Sequence, residues 1–181
     1  MRLNHRDKTI PSVFICSIFF LGSGTAMATS GEPCSLLSEA EVGKIIGNEA
    51  PLATNNSRVD AKGTATLLCV YSAMRRPPLN AATLRLHTFK SAAAAQEYMK
   101  SYGDMKSYGS AIKPERGYVI EQDKAGGMSA IFQNIHGRGE MSAIKGNLVI
   151  SAGVTHTSTD GKQTAERDLS RALLAAMLGN L

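Results

Sequence analysis

Carboxylates two residues apart, isolated histidines and a pair of cysteines are the side chains here whose types and spacing admit chemistry. Glu121 and Asp123 lie two apart in an extended stretch, so they share a strand face, as a general acid and base would need to. They also flank a glycine-rich turn, the ordinary setting of solvated charge. Glu39 and Glu41 have the same spacing on a helix, where it points them apart. Ser38-x-x-Glu41 is in addition a capping box, which gives Glu41 a structural task. His87, His136 and His156 could meet in space as metal ligands, yet each stands alone, and zinc sites gather ligands at short spacing. The chain has no Gly-x-Ser-x-Gly elbow, no phosphate-binding Gly-x-x-x-x-Gly-Lys-Ser/Thr loop and no His-Glu-x-x-His pair. Gly137-Arg138-Gly139 lacks the third glycine of a dinucleotide site and reads as a hairpin turn. The expectation is a chain without catalytic residues, cofactor or metal.

How the cysteines behave depends on the compartment, and the first 28 residues speak to it. Arg2, Arg6 and Lys8 form a positive start, Val13–Leu21 is an apolar run, and Ala26-Met27-Ala28 is a small-x-small cleavage pattern. Gly22 to Thr25 end the apolar run well short of the roughly 20 residues a membrane anchor needs. Cys16 and Cys34 are both wrongly placed for a lipoprotein site. Residues 1–28 are therefore expected to be a cleaved signal peptide and 29–181 a single domain. The product would be soluble, periplasmic or secreted, with no stable membrane insertion. Its formal charge falls from +5 to +3, because Arg2, Arg6, Lys8 and Asp7 leave with the signal. The remaining basic residues are scattered, with no run beyond Arg75-Arg76, which speaks against nucleic acid as a partner.

Cys34 and Cys69 remain after Cys16 is removed, and in an oxidising compartment one disulfide is their simplest state. Closing that loop would stabilise the fold by roughly 3–4 kcal/mol. A metal pair would want further ligands nearby, and Cys34 as a nucleophile would need Cys69 free.

The elements that must position these groups read as follows. Ser35 or Ser38 caps a first helix running to about Ile46, and Gly47 stops it. The polar stretch 48–63 has room for an edge strand. Ala65–Met74 is apolar on both faces. Ala82–Phe89 alternates, with Leu84 and Leu86 on one face and Arg85 and His87 on the other, as in a sheet covered on one side. Ser91 caps an alanine-rich helix that Gly103 closes. Strands follow at 117–122, 128–135, 140–145 and 148–155, the last two joined by a tight Gly146-Asn147 turn. A final helix opens at Asp160 or Thr164. The expected fold is α+β, mainly antiparallel sheet with three helices and one disulfide, and a two-fold βββα repeat is one reading of 65–102 against 128–178.

Two short repeats stand out. Met99-Lys100-Ser101-Tyr102-Gly103 recurs six residues later, so that Tyr98, Tyr102, Lys106 and Tyr108 gather in a short segment suited to a protein or glycan surface. A period of six fits neither helix nor strand, so one face cannot present both copies. Met128-Ser129-Ala130-Ile131 recurs at Met141-Ser142-Ala143-Ile144, as expected for core packing on neighbouring strands.

Pro33-Cys34-Ser35-Leu36-Leu37-Ser38-x-x-Glu41-Val42, then Gly47, then Cys69-x-Tyr71, resembles a family of small exported bacterial proteins and lipoproteins of unknown function. In that family a cysteine opens the first helix and a second lies in a strand as Cys-x-aromatic. The resemblance implies a PsbP-like sandwich and supplies no catalytic residues. This chain lacks the lipobox cysteine that many members carry.

The expected function is that of an exported, non-catalytic binding or accessory protein of the cell envelope, with another envelope or secreted protein as partner. Its candidate surfaces are the sheet face of Arg85 and His87 and the segment of Tyr98, Tyr102, Lys106 and Tyr108. An inhibitor or immunity-type protein against an envelope hydrolase is a second reading of that class. A small exported hydrolase using Glu121, Asp123 or His136 is the reading from a different class.

Overall fold

The computed structural model describes residues 32–48, 51–59, 64–72, 80–111, 119–135, 138–155 and 164–181, with residues 102–111 described in their backbone. The expected signal peptide, His136 and His156 lie outside the described residues.

Among the described residues seven strands form one sheet in the order β1-β2-β3-β7-β6-β5-β4. They are β1 Leu52–Val59, β2 Ala65–Ser72, β3 Ala81–Thr88, β4 Val119–Ala125, β5 Met128–Ile135, β6 Arg138–Lys145 and β7 Leu148–Thr155. Every pairing is antiparallel. Three strands run as a meander, a helix carries the chain to the far edge, and a second meander returns until β7 pairs with β3. Two-residue turns set the register of that second meander. Gly126 and Gly127, at φ 54° and 79°, join β4 to β5, and Gly146, at φ 63°, opens the β6–β7 turn. Such turns require φ > 0, which glycine adopts without strain.

Among the described residues four helices accompany the sheet rather than three: α1 Pro33–Leu36, α2 Glu39–Ile46, α3 Ala92–Ala111 and α4 Thr164–Asn180. The single helix expected at the start is split because Leu37 is extended and Ser38 begins a new one. Ser38 Oγ accepts from the Glu41 N–H at 3.3 Å, and Glu41 Oε2 accepts from the Ser38 N–H at 2.7 Å. Both halves of the capping box are thus present, and they hold the Glu41 carboxyl below its ordinary range. α3 does not end at Gly103 but continues to Ala111. A glycine inside a helix costs only about 1 kcal/mol, too little to stop a helix that its flanking turns favour.

The two faces of the sheet differ. Cys69, Tyr71, Leu84, Leu86, Phe132, Met141, Ile150 and Ala152 are buried on one face. They share a core with Leu173, Leu174 and Met177 of α4 and with Leu36, Leu37, Val42 and Ile46 at the start of the chain. Cys34 and Cys69 form the expected disulfide, with Cα atoms 5.2 Å apart, and it ties α1 to β2. On the opposite face Ala95 and Met99 of α3 pack on Val149, with Phe89, Tyr98, Ile131 and Ile144 around them. The face of Arg85 and His87 therefore carries a helix over part of its area, where one-sided cover was expected. Because α3 and α4 lie on opposite faces, the two meander-plus-helix units give no support to a two-fold repeat.

α4 can lie close to β6 because of one residue. A Cβ on Gly139 would stand 2.6 Å from Glu166 Cβ and 3.2 Å from the Glu166 carbonyl carbon. The residue read as part of a turn is an in-strand glycine at a helix–sheet contact, and Ser170 Oγ donates to its carbonyl at 3.1 Å.

Candidate functional site

The carboxylates with the best spacing for acid–base work are committed elsewhere. Asp123 Oδ2 accepts from Arg167 Nε and from Arg171 Nη2, each at 2.7 Å. Arg167 Nη1 also reaches Glu121 at 2.5 Å, and Arg171 Nη1 reaches Asp168 at 2.6 Å. The Arg167 guanidinium lies 5.6 Å from the centre of the Phe132 ring. β4 and α4 are thereby clamped by an ionic network spread over just more than one turn of helix. Burial alone would raise the Asp123 carboxyl, but hydrogen bonds from Arg171 and Arg167 outweigh it and hold the group at about 2. A carboxyl at that value is ionised throughout the neutral range and has no proton to donate.

Glu39 and Glu41 are likewise structural. Glu41 closes the capping box, and Glu39 Oε1 accepts from the Ala53 N–H at 2.9 Å, joining α2 to β1. Among the described residues no three His, Cys, Asp or Glu side chains stand close enough to hold a metal ion.

On the other face two separate sequence candidates come together. Arg85 on β3 reaches across β7 to Glu140 on β6, Nη1 to Oε2 at 2.9 Å, and Gln133 Nε2 donates to Glu140 Oε1 at 3.2 Å. Gly153 lies directly opposite Glu140 on the strand between, where a Cβ would stand 3.8 Å from Glu140 Oε2. Beside them Ser142 and Ser151 are buried and hydrogen-bonded to each other, hydroxyl to hydroxyl at 2.8 Å. Two residues along β3, His87 Nδ1 meets Thr66 Oγ1 at 3.0 Å. The His87 ring centre is 5.5 Å from Tyr98 on α3, and Tyr98 is 5.1 Å from Phe89. Arg85, His87 and Tyr98 are thus one surface, a polar ion-paired half next to an aromatic half.

The side chains of Tyr102, Lys106 and Tyr108 lie outside the described residues. Their helical positions still say something. Positions 98, 102 and 106 follow one another at i+4 along one side of α3, whereas 108 falls well round from them. Glu140 and Gln133 are the members that sequence reasoning missed. The alternation Arg138, Glu140, Ser142 along β6 carried a usable signal, but nothing local says that Glu140 pairs with a residue 55 positions away.

No family model matches the chain, and no curated protein matches it. Among solved structures it is similar to the extracellular domain of PknH from Mycobacterium tuberculosis. The match has a TM-score of 0.53 at 9% identity and covers 83% of this chain and 96% of that domain. At such identity what is shared is the fold. No helix among the described residues is long and apolar enough to cross a membrane.

Proposed function

We propose that this chain is an exported, non-catalytic binding protein of the cell envelope that docks another protein on the face of Arg85, His87 and Tyr98. The observation that carries the reading is the 5.5 Å contact between His87 and Tyr98, which merges a charged strand face and an aromatic helix into one patch. Aromatic and arginine side chains side by side are the composition of interface hot spots. The disulfide suits an oxidising compartment, and the neighbouring solved structure is itself an extracellular domain, so both support export. Kinship with the small exported proteins that open on a cysteine-bearing helix fits the Cys34–Cys69 bridge and is part of the same proposal. The same face would serve an inhibitor of an envelope hydrolase. A hydrolase built on Glu121 and Asp123 fares worse, since arginines hold both.

The test is capture of partners from envelope extract by the oxidised protein, beside Tyr98→Ala and Arg85→Gln variants of unchanged melting temperature. One protein retained by the parent and lost with both variants supports the reading. Capture that neither variant alters would move the site off this face.

A further inference from the structure

A different part of the same sheet face is hollow. A groove of about 370 Å³ runs between α3 and the strands β4, β5 and β6. Met99, Met128, Ile131 and Ile144 wall it, and Gln122 and Ser129 supply its polar atoms. The repeated Met-Ser-Ala-Ile tetrapeptide builds the floor. Its two copies pair crosswise, Ala130 opposite Ala143 and Ile131 opposite Ser142, which turns Ile131 and Ile144 toward α3 and both alanines toward the other core. Small-molecule sites are typically of roughly 300–1,000 Å³, mostly apolar, with a few placed polar groups.

Charge decides what kind of molecule fits. Lys124 pairs directly with Ser129 across β4 and β5 and lies on the face of Gln122, which sets it next to two residues that line the groove. It is exposed and has no carboxylate partner among the described residues. An apolar trough with a cation and two neutral polar groups at one end is complementary to a single hydrocarbon chain with an anionic head. We propose that this groove binds a monomeric anionic amphiphile of the fatty-carboxylate class, its chain along Ile131 and Ile144 and its head beside Lys124. This is independent of the protein-docking reading, which uses other residues.

Calorimetric titration of the oxidised protein with monomeric decanoate and dodecanoate, with amide shifts followed by NMR, tests it. Dodecanol and dodecyltrimethylammonium serve as neutral and cationic controls. The expected result is saturable one-to-one binding of dodecanoate with shifts confined to residues 122–131, 144 and 99. Each methylene should tighten binding by up to about four-fold while it still finds apolar wall. Lys124→Glu should weaken dodecanoate about five-fold and leave dodecanol unchanged. Ser129→Phe, at an exposed rim position, should abolish both by filling the groove. The proposal is overturned by no saturable binding, by shifts elsewhere, by equal binding of the cationic control, by Lys124→Glu behaving as the parent, or by association with anionic vesicles alone.

Discussion

The Tyr71 hydroxyl donates to the Leu37 carbonyl at 2.6 Å, with both residues buried. This bond sits two residues from Cys69 and anchors Leu37, the first of the two extended residues between α1 and α2, so bridge and hydroxyl hold the same corner. Tyr71→Phe strands that carbonyl, and the expected cost is about 1–3 kcal/mol of unfolding free energy by urea titration.

The same hydroxyl makes stability depend on high pH. Burial, followed by the charges of Glu39 and Glu41, pushes the Tyr71 phenol up to about 12 from an ordinary 10. The folded state thus keeps a proton that the unfolded chain gives up. Its contribution is complete below pH 10 and is lost as pH rises from 10 through about 12. Denaturant titrations over that window should show a falling midpoint, and Tyr71→Phe should flatten the fall.

Asp123 works in the opposite direction. Its carboxyl is held at about 2, below an ordinary value near 3.8, so its contribution is complete above pH 4 and fades as pH falls toward 2. Asp123→Asn removes the charge that two arginines share, at an expected cost of about 1–3 kcal/mol near neutral pH. Thermal melts of the two proteins should converge as the pH approaches 2. Melts that stay apart at that pH would assign the loss to packing rather than to charge.

Gly139 on β6 and Gly153 on β7 lie one register step apart, with their Cα–Hα bonds on opposite faces of the sheet, and should respond differently to a methyl group. At Gly139 the new carbon meets Glu166 at 2.6 Å, and helix and strand must separate. Gly139→Ala should cost about 1–3 kcal/mol, the range for overpacked cores. At Gly153 the nearest atom, the Gly139 carbonyl oxygen, is 3.4 Å away, an ordinary contact, and Gly153→Ala should shift the melting temperature far less.

Replacing both cysteines by serine releases a bridge that spans 35 positions and should cost about 2–4 kcal/mol by the same titration. Reduction of the parent protein should reproduce the loss.

What could be read in the sequence was local. Ser38 and Glu41, the Gly146-Asn147 turn and the alternation of Leu84 with Arg85 each depend on neighbours within a few residues, and each stands in the structure as expected. What could not be read depends on distant partners. Glu121 and Asp123 keep the spacing of a catalytic pair, but the arginines that hold them lie more than 40 residues on, in α4. Gly139 looks like turn material until α4 is laid against it. The helix that covers His87 could not be placed on either face from its own sequence, since most of its outward residues are small or polar and its pattern fits both.

The strand order has a kinetic meaning. β1 to β3 and β4 to β7 each form from strands adjacent in sequence, whereas β3 meets β7 through partners such as Leu84 and Ala152, far apart along the chain. That seam, reinforced where Asn180 at the end of α4 donates to the Leu36 carbonyl, is where two locally ordered halves become one cooperative unit. Closing a long loop precedes the gain from such contacts, so the barrier to folding is expected at the seam, to be checked by φ-values from stopped-flow folding and unfolding rates. Substitutions along β3 and β7 should slow folding, while those in the outer hairpins should chiefly speed unfolding.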